Sequence, residues 1–384
     1  MLRKIIKKFY CMLCLLLPHK KTIIFESGDN IFDNGFVFAN YIAGQLDYKK
    51  YRLICIGKKR VADNNVFLPS IIYFQYDNSF ASQLKLLKFS FRAKYIFYSY
   101  DNYWKYIKLR KSTKIVFIRH GAFPIKNVSE YYDSMFDNKN FYYVLCTTPF
   151  VRQQLELRYP KDNIKYFLSG MPRSDLLKSN KVDTVFKALR IDAKLKIIII
   201  ACTFRHFDDP NALFFKDEFP ISFSEKEVCD LNKMAIKKNI VLLFKLHHAQ
   251  FCNMTNFSYS NIIFVDDNLL EKNKINNFDL FNASSALVTD YSGIFIDYLL
   301  TDKPLGFILT DKKQYGDKRG FTIPNFEDYL PGEKILNKKE FVNFVFEGFL
   351  ESKKFAKARF EARKNFTGHY SNFSESLINE VKRL

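Results

Sequence analysis

Three short stretches of the chain carry residue types suited to chemistry on a phosphorylated substrate. In the first, a buried apolar run ends in Thr289-Asp290, turns through Tyr291-Ser292-Gly293 and enters the apolar segment IFIDYLL, which contains Asp297. Ser292 at a helix start, with Gly293 letting a ligand approach the backbone, would present free N–H groups and the positive end of a helix dipole to an anion. Arg319, beside Gly320, can add a bidentate phosphate contact. An ordinary capped strand-to-helix turn would read the same way. The second stretch is Phe244-Lys245-Leu246-His247-His248. A histidine just past a buried strand can donate to a phosphoryl oxygen as charge develops there, although a buried structural histidine is the plainer alternative. The third is His120-Gly121, near Lys126. A histidine titrating near neutrality suits a general base that deprotonates an acceptor hydroxyl, and Lys126 could attract an anionic acceptor.

These residues need elements to position them. Short, continuously apolar runs recur at Thr22–Phe25, Leu53–Ile56, Tyr95–Tyr98, Ile115–Ile118, Tyr143–Cys146, Tyr166–Leu168, Ile197–Cys202, Ile240–Leu246, Ile262–Val265 and Leu287–Thr289. Runs without polar alternation read as strands buried on both faces, hence parallel sheets covered by helices. Strand then helix, repeated in both halves, is a doubly wound α/β pattern. In such sheets ligands bind beyond the carboxyl ends of the strands. His120, His206, His247 and His248, four of the six histidines, fall at or near such ends. A boundary is expected between about Asp175 and Lys194, where the chain turns polar. The organisation that follows is a basic apolar segment (1–21), a first Rossmann-like domain (22–180), a second (181–352) and C-terminal helices crossing back toward the first (353–384).

At 384 residues the chain suits two domains, and its 48% hydrophobic content can fill two cores. The net charge of +20 calls for an anionic partner. Arg3, Lys4, Lys7, Lys8, Lys20 and Lys21 concentrate part of it at the N-terminus, with no acid among them. The remainder is spread along the chain without a nucleic-acid module, which favours a membrane surface and a phosphorylated substrate over DNA or RNA. The apolar core FYCMLCLLLP is too short to span a bilayer. It reads either as a helix lying on an anionic membrane or as a first helix packed on its own domain. Seven cysteines at irregular spacing, mostly in apolar runs, fit reduced buried thiols. No Walker A loop, GxGxxG fingerprint, HExxH, zinc spacing or GxSxG elbow is present, so ATP hydrolysis, hydride transfer and zinc hydrolysis lack support.

Read in order, the motifs FES (25–27) with Asn34-Gly35 and Asn40, HG (120–121), SGMPRSDLL (169–177), TFR (203–205), KLH (245–247), TDYSGIFIDY (289–298), KP (303–304) and RGF (319–321) resemble the CDP-glycerol glycerophosphotransferase family, which builds teichoic acids and related capsular polymers. The resemblance implies two facing Rossmann-like domains of GT-B type in a protein peripheral to the cytoplasmic face of the bacterial plasma membrane. It implies transfer of a polyol phosphate from a CDP-polyol to a hydroxyl of a lipid-linked or growing polymer, with release of CMP. His120 would be the general base. His247, Thr289, Ser292, Gly293 and Arg319 would bind the donor pyrophosphate, and Asp290 and Asp297 would shape the pocket or contact the donor's polyol. Arg173 and Asp175, with Thr203 and Arg205, would line the hinge or pocket. No cofactor is firmly implied, and Mg²⁺ at Asp290 and Asp297 stays open.

The chain departs from the family pattern in places. Arg119 replaces an aromatic residue, Gly293 replaces a second serine, His248 replaces a proline, and the loop after Gly121 is one residue longer. Two other readings remain at this stage: a GT-B glycosyltransferase using a sugar nucleotide, and a non-catalytic polyanion-binding protein.

Overall fold

A computed structural model describes residues 2–16, 21–28, 31–58, 67–105, 107–179, 181–203, 220–245, 259–351 and 353–384. The chain divides into two compact units. The first comprises Met1–Ala122, Ser129–Asp175 and Gly368–Leu384, and the second comprises Phe123–Val128 and Leu176–Thr367.

The first unit holds seven strands: β1 (Thr22–Glu26), β2 (Arg52–Gly57), β3 (Ile71–Gln75), β4 (Ala93–Tyr98), β5 (Lys114–Phe117), β6 (Tyr142–Cys146) and β7 (Ile164–Leu168). Their order is β3-β2-β1-β4-β5-β6-β7, and every pairing is parallel. The second unit holds β8 (Lys196–Ile200), β9 (Ile240–Lys245), β10 (Ile262–Val265), β11 (Ser284–Thr289), β12 (Leu305–Ile308) and β13 (Glu333–Ile335). Their order is β10-β9-β8-β11-β12-β13, again all parallel. Both sheets are doubly wound.

The central strands are apolar because helices cover both of their faces. Ile23, Ile24 and Phe25 of β1 and Ile197, Ile198 and Ile199 of β8 are at most 1% exposed. In the second unit one core layer joins Ile198, Leu242, Ala286 and Val288 to Val228 and Leu231 of the helix Glu225–Lys238 and to Phe341 and Phe344 of the helix Lys338–Phe346. Three strands, β3, β12 and β13, are not among the apolar runs read from the sequence. β3 and β13 are edge strands with partly exposed side chains, and β12 carries Gly306.

The N-terminal helix, Leu2–Leu16, packs on the helix Phe80–Ser90 with Cys14 buried, and Arg110 donates to the Leu15 carbonyl at 2.6 Å. Phe9, Met12, Leu13 and Leu16, at helical spacing, stay exposed at 62%, 60%, 45% and 82%. The helix therefore docks on its own unit and still presents an apolar stripe. Among the described residues no helix is long and apolar enough to cross a membrane.

Candidate active site

Strand order reverses between β1 and β4, the point where doubly wound sheets open a crevice. Here Glu26, fully buried at the end of β1, fills it. Its carboxylate accepts from the backbone N–H of Gly28 at 2.6 Å and of Ser99 and Tyr100 at 3.0 Å each. Burial pushes this carboxyl up to about 7, outweighing the pull of the three N–H groups.

Asp33 caps the first helix after β1, Asn34–Ala43, accepting from Asn34 N–H at 2.8 Å. In dinucleotide-binding sheets that helix start receives a pyrophosphate. In this unit the chain's own carboxylate occupies it, so the cap repels an anion instead of holding one.

Asp33 also gathers the chemistry of this end of the sheet. Its Oδ2 lies 2.9 Å from His120 Nδ1, and its Oδ1 accepts from Arg173 Nη1 at 3.1 Å. The carboxylate is 1% exposed, the Arg173 side chain 13% and the His120 side chain 54%. Burial raises the Asp33 carboxyl, but the charges of His120 and Arg173 outweigh it and hold the group below the ordinary aspartate value. The Tyr100 ring sits 4.4 Å from the imidazole, with its hydroxyl 3.4 Å from Nε2. The Asn34 amide locks the backbone around this cluster, donating to the Arg119 carbonyl at 2.9 Å and accepting from Arg173 N–H at 3.0 Å. Arg119 takes a left-handed φ of 61°, and its buried guanidinium lies 5.9 Å from the Tyr132 ring. A cation over a tyrosine thus stands where an aromatic residue was expected.

The SGMPRSD segment divides its work. Arg173 pairs with Asp33. Asp175 accepts from the N–H groups of Phe373 and Ser374 at 3.0 and 2.8 Å, at the start of the helix Phe373–Arg383.

In the second unit the order reverses between β8 and β11, and Asp290 closes that point. It is fully buried and accepts from Thr203 N–H at 2.9 Å, Thr203 Oγ1 at 3.0 Å and Ser292 N–H at 3.1 Å. Thr289 is equally buried and donates its hydroxyl to the Ala201 carbonyl at 2.6 Å. Thr289 and Asp290, expected at the donor, and Thr203, expected at the hinge or pocket, all bond to the framework in this structure. Asp297 is also buried, on a helix of only five residues, Ile294–Tyr298, which runs on into a 3-10 turn. The helix start differs from the expected serine cap. Gly293 holds the cap position, and Ser292 Oγ only reaches Ile294 N–H, at 3.4 Å. A β-carbon at Gly293 would lie 3.2 Å from the Phe123 carbonyl oxygen, which accounts for glycine where a serine was expected.

The fold brings the turn and the RGF segment together. The buried Tyr291 bonds Asp311 at 2.9 Å and packs on Tyr315, Phe321 and Phe326 at 4.5, 5.2 and 5.8 Å. Arg319 ends the helix Lys312–Arg319 and is exposed. Gly320 follows with φ 74° and ψ 169°, a conformation open essentially to glycine alone. Lys126 was expected on the acceptor side, in the first domain. The structure puts it in the second unit instead, bridged to Phe321, with Asn127 N–H donating to the Gly320 carbonyl at 3.0 Å and Thr322 Oγ1 to the Lys126 carbonyl at 2.9 Å.

His247 and Arg205, and with them His206 and His248, lie outside the described residues. Among the described residues no group of three or more His, Cys, Asp or Glu could hold a metal ion. Asp33 and Tyr100 were not singled out from the sequence. The available signal for Asp33 was its place as an acidic N-cap before the apolar helix NGFVF. Tyr100 carried no signal.

Two doubly wound parallel sheets in one chain, with polar residues at the strand ends in each, define an α/β protein of two Rossmann-like units. The chain belongs to the CDP-glycerol:poly(glycerophosphate) glycerophosphotransferase family, whose model matches residues 8–381. It is 24% identical over 367 residues to the teichoic acid glycerol-phosphate primase of Bacillus subtilis (strain 168), covering 91% of this chain and 88% of that one. It is 25% identical over 395 residues to the teichoic acid poly(glycerol phosphate) polymerase of Bacillus spizizenii, covering 93% and 89%. The structure of the wall teichoic acid polymerase TagF superposes with a TM-score of 0.74 at 17% identity, over 98% of this chain and 93% of that one.

Proposed function

We propose that this protein transfers glycerol phosphate from CDP-glycerol to a hydroxyl of a lipid-linked or growing surface polymer, releasing CMP. Family membership supports the donor and the reaction type. The observation that carries the catalytic assignment is His120: an exposed imidazole whose Nδ1 is held at 2.9 Å by a buried carboxylate. The acceptor oxygen forms a bond to the glycerol-bearing phosphorus while the bond from that phosphorus to the CMP oxygen breaks. His120 Nε2 takes the hydroxyl proton, and CMP departs as the anion. Arg319, Lys126 and the Ser292-Gly293 turn neutralise donor phosphate charge. Positioning and electrostatics of this kind carry most phosphoryl-transfer catalysis.

The exposed apolar stripe of the helix Leu2–Leu16, beside N-terminal lysines, supports attachment to the surface of an anionic membrane, where a lipid-linked acceptor would be found. The reading is of a peripheral enzyme at the cytoplasmic face, in cell-envelope or capsule polymer synthesis.

The test supplies CDP-glycerol, CDP-ribitol and sugar nucleotides separately, with a glycerol-phosphate-primed lipid acceptor, and follows the nucleotide released. CMP from CDP-glycerol, lost by about 10³-fold in His120→Ala with donor binding intact, is the expected result. Release of a nucleoside diphosphate from a sugar nucleotide alone would overturn the reading, as would full turnover by His120→Ala.

A further inference from the structure

We infer that Asp33, held by Arg173, is the positioning residue that fixes the ring tautomer of His120 and directs Nε2 to the acceptor hydroxyl. The inference rests on the reading of His120 as the base and goes beyond it by assigning the groups that prepare that base.

An aspartate carboxylate can only accept, so an imidazole nitrogen 2.9 Å from Oδ2 must carry the hydrogen. With Nδ1 protonated, the neutral ring keeps its lone pair on Nε2, the nitrogen a base needs. The opposite tautomer would set two acceptors against each other in a site where Asp33 is 1% exposed and cannot turn to water. Arg173 makes the arrangement one-directional. Its Nη1 holds the other carboxylate oxygen at 3.1 Å, and Asn34 N–H holds the same oxygen at 2.8 Å, while Oδ2 faces the imidazole at 2.9 Å. The backbone is fixed too, because the Asn34 amide ties the carbonyl of Arg119, adjacent to His120, to the N–H of Arg173. When Nε2 takes a proton, the cation that forms is already paired with a buried anion. Tyr100 completes the setting. Burial, then the Asp33 charge, raise its hydroxyl well above the ordinary tyrosine value, so it stays a neutral phenol beside Nε2 and does not compete as a base.

The experiment uses the full-length protein labelled with ¹⁵N-histidine, with the His120→Ala spectrum identifying the His120 signals. The wild type is expected to show the Nδ1–H tautomer. Asp33→Asn retains a good helix cap but can turn its amide N–H toward Nδ1, which moves the hydrogen to Nε2. Transfer from CDP-glycerol should then fall about 10²-fold or more in kcat, with the donor KM changed less than about twofold. Arg173→Gln should give a smaller kcat loss and a mixed tautomer signal. An Nε2–H tautomer in the wild type overturns the inference, and so does wild-type kcat in folded Asp33→Asn. The tautomer measurement needs neither turnover nor an Asp33 variant. Failure of the proposed reaction, seen as no CMP release by the wild type, is therefore distinct from failure of this inference.

Discussion

The two sheets reverse their strand order at β1/β4 and at β8/β11, and each reversal is closed by a fully buried carboxylate. The closures run in opposite directions. Glu26 leaves the first strand of its pair and binds the loop after β4, whereas Asp290 follows β11 and reaches back to Thr203 after β8. Among the described residues the partners of Glu26 are backbone N–H groups, and its carboxyl rises to about 7. Asp290 adds the Thr203 hydroxyl and the Ser292 N–H, so it fixes the proposed donor turn from within. Among the described residues each reversal thus carries a buried carboxylate bonded to an adjoining loop. The groups proposed for the reaction sit one loop further out, at Asp33 and His120 in the first unit and at Ser292, Gly293 and Arg319 in the second.

Removing the second closure should have the largest effect. Asp290→Ala leaves three part-buried donors without their acceptor and is expected to cost up to about 3 kcal/mol of unfolding free energy. CDP-glycerol affinity should weaken with it, as urea titration and calorimetry would show. A variant with unchanged stability would mean that the two carboxylates are not equivalent closures.

The first closure should reveal itself through pH. The Glu26 carboxyl rises from 4.5 to about 7 on folding, so the protonated form is the one the fold prefers. Its contribution is fully present below pH 4.5 and is lost as pH rises to about 7, a fall of roughly 3 kcal/mol. Glu26→Gln should flatten that slope of stability against pH. A slope that survives the substitution assigns it to other groups.

Thr289→Val separates framework from ligand in the same turn. If the hydroxyl serves only the Ala201 carbonyl, the variant loses about 1 kcal/mol of stability and keeps donor affinity within about twofold. A tenfold loss of affinity would restore Thr289 to the phosphate site. The smallest effect is expected from Gly293→Ser, which must displace the Phe123 carbonyl by a few tenths of an ångström. It should cost no more than about 1 kcal/mol, a shift of a few degrees in Tm. A gain in donor affinity there would show that the added hydroxyl finds the phosphate.

Ten apolar runs were legible as strands, eight of them central strands in which burial on both faces removes polar alternation and two, β7 and β10, at sheet edges. β3 and β13, the other two edge strands, carry exposed positions and were missed, as was β12, where Gly306 interrupts a short run. At the site, His120, Ser292, Gly293, Arg319 and Arg173 were legible as polar or flexible residues placed just beyond apolar strands. Their partners were not. Asp33 is 87 residues from His120 and 140 from Arg173, and no local pattern encodes such a pairing. Lys126 looked like a neighbour of His120, yet backbone pairing with Phe321 carries it into the other unit.

By itself, then, the sequence determined the class of fold and the strand ends where chemistry belongs, because burial period and loop composition are local properties. Only the tertiary structure decided which polar side chains remain for a substrate. Thr289 bonds the Ala201 carbonyl and Asp290 bonds Thr203 and Ser292 within the second unit, while Asp33, legible only as a helix cap, is turned onto His120. A buried donor or acceptor must find its partner wherever the fold brings one, and that allocation exists only once the chain has closed on itself.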